Sequence, residues 1–139
     1  MSHGIRSSAY LLAMLTAVTL LGTACGQAPS STAADAGNGI TISFKTIDEP
    51  AKGENKIEAV VKQDGKPVTD ATVAVTFRMP AMPTMNMPEM HSTTPLTHEG
   101  EGRYVGTGQL EMAGSWNVTV TVARNGAQVA SSRFSLQAK

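Results

Sequence analysis

Thirteen consecutive residues, Met79-Pro80-Ala81-Met82-Pro83-Thr84-Met85-Asn86-Met87-Pro88-Glu89-Met90-His91, concentrate the chemistry of this chain. They hold five of its eight methionines, three of its seven prolines and one of its three histidines. A thioether sulfur is a soft, uncharged ligand that suits Cu(I) and suits hard ions such as Mg²⁺ or Ca²⁺ poorly. The prolines bias the segment toward polyproline II, with three residues per turn and a rise of about 3.1 Å per residue. On such a rod Met79, Met82 and Met85 share one edge at intervals of about 9 Å, and Met87 and Met90 are likewise three apart. Two sulfurs can meet across one such gap, whereas three need a bend, expected near Asn86-Met87. Met82, Met85, Met87 and Met90 are therefore the candidate ligands. His91 would add an imidazole nitrogen and admit Cu(II) as well.

Three further residues compete between ligand and structural roles. Met79 ends a predicted strand and is equally a core residue. His98, at the far end of the loop, reads as a solvent-facing strand residue that could approach His91. Met112 precedes a turn and reads first as core packing. Glu89 reads as solvated and Trp116 as core. The competing account of the whole stretch is a flexible apolar surface, because methionine also builds adaptable docking grooves.

The elements that must hold this loop are strands. Ile40, Ile42 and Phe44 alternate with Thr41, Ser43 and Lys45, the period of a half-buried strand. Ile57, Ala59 and Val61 repeat the pattern, Asp64-Gly65-Lys66-Pro67 turns, and Val73, Val75 and Phe77 form a third strand. A loop over 79–95 follows, with a short strand at Pro95-Leu96-Thr97-His98. Then come a strand over Arg103 to Leu110 and the clearest one, Trp116-Val118-Val120-Val122. Arg124-Asn125-Gly126-Ala127 is a hairpin signal leading to a last strand from about Gln128 to Leu136. About seven strands without helical periodicity predict an all-β, immunoglobulin-like β-sandwich over residues 40–139. Trp116, Phe77, Phe44 and Phe134 are its expected aromatic core.

The N-terminal part is of another kind. Arg6, an apolar run from Ala9 to Leu21, and small residues before Cys25 read as a lipoprotein-type signal peptide over 1–24. The run is short for a transmembrane helix, which needs about 20 apolar residues. Cys25, the only cysteine, would be lipidated and would anchor the chain to a membrane outside the cytoplasm. Gly22 stands where a lipobox has leucine, with Leu21 one step earlier, so plain signal cleavage is the alternative. Residues 25–39, rich in Ala, Ser, Thr and Gly, read as a flexible tether.

A lone cysteine allows neither an intrachain disulfide nor a thiolate cluster. Eleven basic residues balance eleven acidic ones with no basic stripe, which argues against nucleic acid. Neither a Gly-x-Ser-x-Gly elbow, a His-x-x-x-His pair, a CxxC nor a glycine-rich phosphate loop occurs, so no enzyme is expected.

Four motifs in order, Asp64-Gly65-Lys66-Pro67-Val68, Phe77-Arg78-Met79-Pro80-Ala81-Met82, Gly102-Arg103-Tyr104 and Met112-Ala113-Gly114-Ser115-Trp116, resemble the YtkA-like/FixH-like domain family. The resemblance runs from about Ile40 to the end. It implies an envelope β-sandwich associated with copper export or cytochrome oxidase assembly. Its partners would then be a copper transporter, an efflux pump or an oxidase assembly protein. The loop also resembles CopC-type periplasmic copper-resistance proteins. Their Cu(II) site uses a free N-terminus and a histidine there, so only a Cu(I) methionine site carries over to a lipidated cysteine. Three functions are expected on these grounds: an extracytoplasmic Cu(I) chaperone, scavenger or accessory to export or oxidase assembly, a metal-free module docking on a membrane complex, or a structural envelope domain with an incidental loop.

Overall fold

The structure, a computed structural model, describes residues 32–139. The signal peptide, Cys25 and the tether up to residue 31 lie outside the described residues. Nine strands follow one another: β1 Thr32–Asp35, β2 Ile40–Thr46, β3 Gly53–Gln63, β4 Lys66–Pro67, β5 Thr72–Met79, β6 Met90–Gly100, β7 Arg103–Leu110, β8 Gly114–Arg124 and β9 Ala127–Ala138. All pair antiparallel in the order β1-β2-β3-β7-β6-β5-β8-β9, with β4 beside β3.

Strand β6 turns this path into two layers. Its first part, Met90 to Leu96, pairs with β5, and its last part, Thr97 to Gly100, pairs with β7. Pro95 sits at the crossing opposite Ala74, near the end of the β5 pairing, where a missing N–H is tolerated. The layers meet face to face through Phe44 of β2, which lies 5.6 Å from the Phe134 ring and 6.4 Å edge-on from Phe77. Gly108 allows that closeness, since a Cβ there would come within 2.5 Å of the Phe77 ring. The inward residues of the alternating strands fill the core, with Ile42, Ile57, Val75, Val118 and Val120 fully buried. Trp116, Phe77, Phe44 and Phe134 all lie in it, as the alternation requires. Tyr104 joins them, its hydroxyl donating to the Val68 carbonyl at 2.9 Å.

Three expected boundaries move. The tether read over 25–39 does not reach Gly39, because Thr32–Asp35 pairs along β2. Its weakly apolar residues gain order by adding to an existing edge rather than by burying themselves. The loop read over 79–95 narrows to Pro80–Glu89, and the short strand at 95–98 begins already at Met90. The strand count rises from about seven to nine through the short pieces β1 and β4.

The two ends of the sandwich differ. One carries the hairpin turns Asp64-Gly65, Glu101-Gly102 and Asn125-Gly126. The other gathers residues 80–89, the β2–β3 connection, the 111–113 turn and the C-terminus, where Lys52 N–H donates to the Lys139 carbonyl.

Candidate metal site

The methionine segment leaves β5 at Met79 and returns at Met90, and these two residues face each other in the β5–β6 register. Pro80 follows Met79 and cannot donate a further ladder bond. On the outer face the neck is closed by an ion pair, Arg78 Nη2 to Glu89 Oε2 at 2.6 Å. The Arg78 hydrogen bond holds the Glu89 carboxyl below its usual range, and His91 adds a smaller pull in the same direction. Glu89 is exposed, as read from sequence, and in addition pairs with Arg78 across the neck. The opposite charges flanking the loop were the available signal.

Beyond the neck the chain folds back on itself. Met82 N–H donates to the Met87 carbonyl at 2.9 Å, and Met87 N–H donates to the Met82 carbonyl at 3.1 Å. This reciprocal exchange defines a hydrogen-bonded antiparallel pair, which sets the two Cα atoms about 5.5 Å apart with both side chains on one face. The four residues between form the bend. Pro83 opens a 3₁₀ turn through Met85, with φ preset by its ring, and Asn86 closes it at φ 53°. Asparagine is among the few residues that adopt this left-handed conformation readily. The single-edge polyproline arrangement expected for Met79, Met82 and Met85 is therefore replaced by a closed turn.

The candidate ligands fall into distinct places. Met82 and Met87 are half-buried and paired by the bridge. Met90 is half-buried and, like Met82, packs against the core. Met112 does the same from the 111–113 turn, and its carbonyl accepts the Trp116 indole N–H at 3.1 Å. Met79 is a core residue, 2% exposed, with its Cε close to Gly114. Met85 stands at the tip, 65% exposed. His91 is exposed beside Arg78, on the face of β6 opposite Met90. His98 lies seven residues further along β6, about 23 Å away along a straight strand, so the two histidines do not meet. Its ring instead lies 4.9 Å from the Tyr104 ring.

The structure thus brings together Met82 and Met87, sets Met90 and Met112 at the same end, and places Met85, His91 and His98 apart from them. Among the described residues, no three His, Cys, Asp or Glu side chains gather as a metal site. The hollow on the outer face of β2 and β3, lined by Ser43, Lys45, Glu58, Val60 and Lys62, lies on a different surface. There Glu58 already pairs with Lys45 at 3.0 Å and Arg103 at 3.5 Å.

No curated protein matches this sequence. The family model for YtkA-like domains matches residues 34–121, from within β1 to within β8 and across the whole methionine loop. On that match, which covers more than half of its length, this chain belongs to the YtkA-like family.

Proposed function

We propose that this chain is a Cu(I)-handling domain of the cell envelope, anchored through a lipid on Cys25, with the ion as its cargo. The observation that carries the reading is the Met82–Met87 bridge. The backbone pairing directs the Met82 and Met87 side chains to one face of a short turn, which supports their acting together. Met90 or Met112, at the same end, would supply a third sulfur, and Met85 at the tip would be the first to meet an incoming ion.

Neutral thioethers bind a monovalent soft ion without needing to lose a proton, unlike thiol or imidazole ligands. Few donors on an open turn favour exchange over storage, which suits passing the ion to a transporter, an efflux pump or an oxidase assembly protein. The family resemblance supports the same association with copper. No catalytic step is assigned to the chain.

A metal-free docking module is the second reading, and the exposed Met85 side chain favours it. Titration with Ag(I), a redox-inert stand-in for Cu(I), separates the two in a soluble Cys25→Ser chain lacking residues 1–24. Replacing Met82 and Met87 by leucine keeps apolar volume and removes sulfur. Weakened Ag(I) uptake supports the metal reading, and undiminished uptake leaves the docking module.

A further inference from the structure

We infer that the methionine end is the end turned toward the membrane carrying the anchor, so that the loop meets the bilayer surface itself. This rests on the proposed lipidation of Cys25 and deepens the reading above by saying where the cargo is exchanged.

The direction of β1 is the first support. Thr32 pairs with Phe44 and Asp35 with Thr41, while Ile40 pairs with Gln63 at the hairpin-turn end. The chain therefore enters β1 from the side of Thr46, which is the side of the methionine loop. Length is the second. Phe44 pairs with Ala59, and Gly53 at the methionine end lies six residues along β3, or about 20 Å. The seven peptide links from Cys25 to Thr32 span at most about 25 Å. A chain continuing in the direction of β1 thus brings its acyl group level with the methionine end. The hairpin-turn end, at Gln63, is only four residues or about 13 Å from the same level, so length permits the methionine end and the direction of entry selects it.

The third support is the apolar surface. Among the described residues, the exposed large hydrophobics are Met85 at 65% and Ile47 at 43%. Met85 tips the loop, and Ile47 begins the β2–β3 connection at the same end of the sandwich. Asp48, Glu49 and Glu111 sit there with Lys52, Lys56 and Lys139, so the contact does not depend on anionic lipid. Two apolar side chains bind a bilayer only weakly. A short tether makes that contact intramolecular, at an effective concentration in the millimolar range, and so populates it.

The test uses the full lipidated chain in phosphatidylcholine vesicles containing headgroup-nitroxide lipid. A fluorophore is placed singly by Glu111→Cys at the methionine end or by Lys66→Cys at the far end. Quenching several-fold stronger at position 111 is expected, as is its loss when a long Gly/Ser insert precedes Thr32 or when Ile47 and Met85 become serine. Equal or reversed quenching, or a chain emerging without an acyl group on Cys25, overturns the inference. Asymmetry that arises only in vesicles reconstituted with membrane proteins also overturns it, in favour of a protein partner. Ag(I) titration of the same samples keeps the two claims separate. Asymmetric quenching without Ag(I) uptake removes the metal reading alone, and symmetric quenching with Ag(I) uptake removes the orientation alone.

Discussion

Asn86 gives the sharpest handle on the loop, because changing it removes no sulfur. It sits at φ 53° and closes the turn that pairs Met82 with Met87. A β-branched residue is strongly disfavoured there, and the left-handed conformation costs an ordinary L-residue about 1–2 kcal/mol. Asn86→Val should therefore lower the population of the closed turn by that amount. If ion binding requires the closed turn, the apparent dissociation constant rises as the inverse of the closed fraction that remains. Since 1.4 kcal/mol is a factor of ten, Ag(I) affinity should fall by up to about 5- to 30-fold, the full factor holding for a turn that is mostly open before the ion binds. Asn86→Gly, which tolerates positive φ, should stay near the parent affinity. Competition titration against a chromophoric ligand measures the affinity. Thermal unfolding of the same samples should change little, because Asn86 is exposed and the turn lies outside the core. An Asn86→Val chain that is folded and binds Ag(I) as tightly as its parent would show that the bridge does not organise the ligands.

Other consequences separate the core methionine from the loop methionines and the thioethers from the histidines. Met79→Ala should destabilise the domain by about 2–5 kcal/mol, read as a lowered midpoint of thermal or denaturant unfolding, since Met79 is 2% exposed. Met79→Leu should cost less than about 1.5 kcal/mol and leave Ag(I) affinity unchanged. Affinity for Ag(I) should stay flat from about pH 7 down to about pH 5, because thioethers do not titrate there, whereas a steep fall would bring His91 into the site. The Glu89 carboxyl, followed by NMR, should titrate below the usual glutamate range and return toward it in Arg78→Gln. Because the folded value is the lower one, the neck clamp is present above the ordinary value and is lost as pH falls through the depressed one.

Much of the sandwich was legible because the inward residues of β2, β5 and β8 recur at period two. The Trp116-Val118-Val120-Val122 alternation marks the inward face of β8, and Asn125-Gly126 fixes the following hairpin. Where apolar contrast fades, so does the signal. Thr32–Asp35 has almost nothing to bury, and its order comes from pairing with β2, a partner that composition cannot reveal. The first half of β6 points Met90, Ser92 and Thr94 inward at the split between layers, so its alternation is too weakly apolar to read as a strand.

The candidate site divides in the same way. Sulfur, proline and the need for a bend could be read from residue types alone. Which methionines pair could not, because that depends on Pro83 and Asn86 together closing one particular turn. Nor could the placement of Met79 in the core and His91 on the outer face, which follows from the phase of β5 and β6.

Isothermal titration of the soluble Cys25→Ser chain from residue 25 onward with Ag(I), beside its Met82→Leu/Met87→Leu counterpart, tests the account most directly. Stoichiometric uptake by the parent is expected, with a loss of at least about tenfold in the double variant, equivalent to 1.4 kcal/mol. Equal uptake by both chains, or none by the parent, would contradict it.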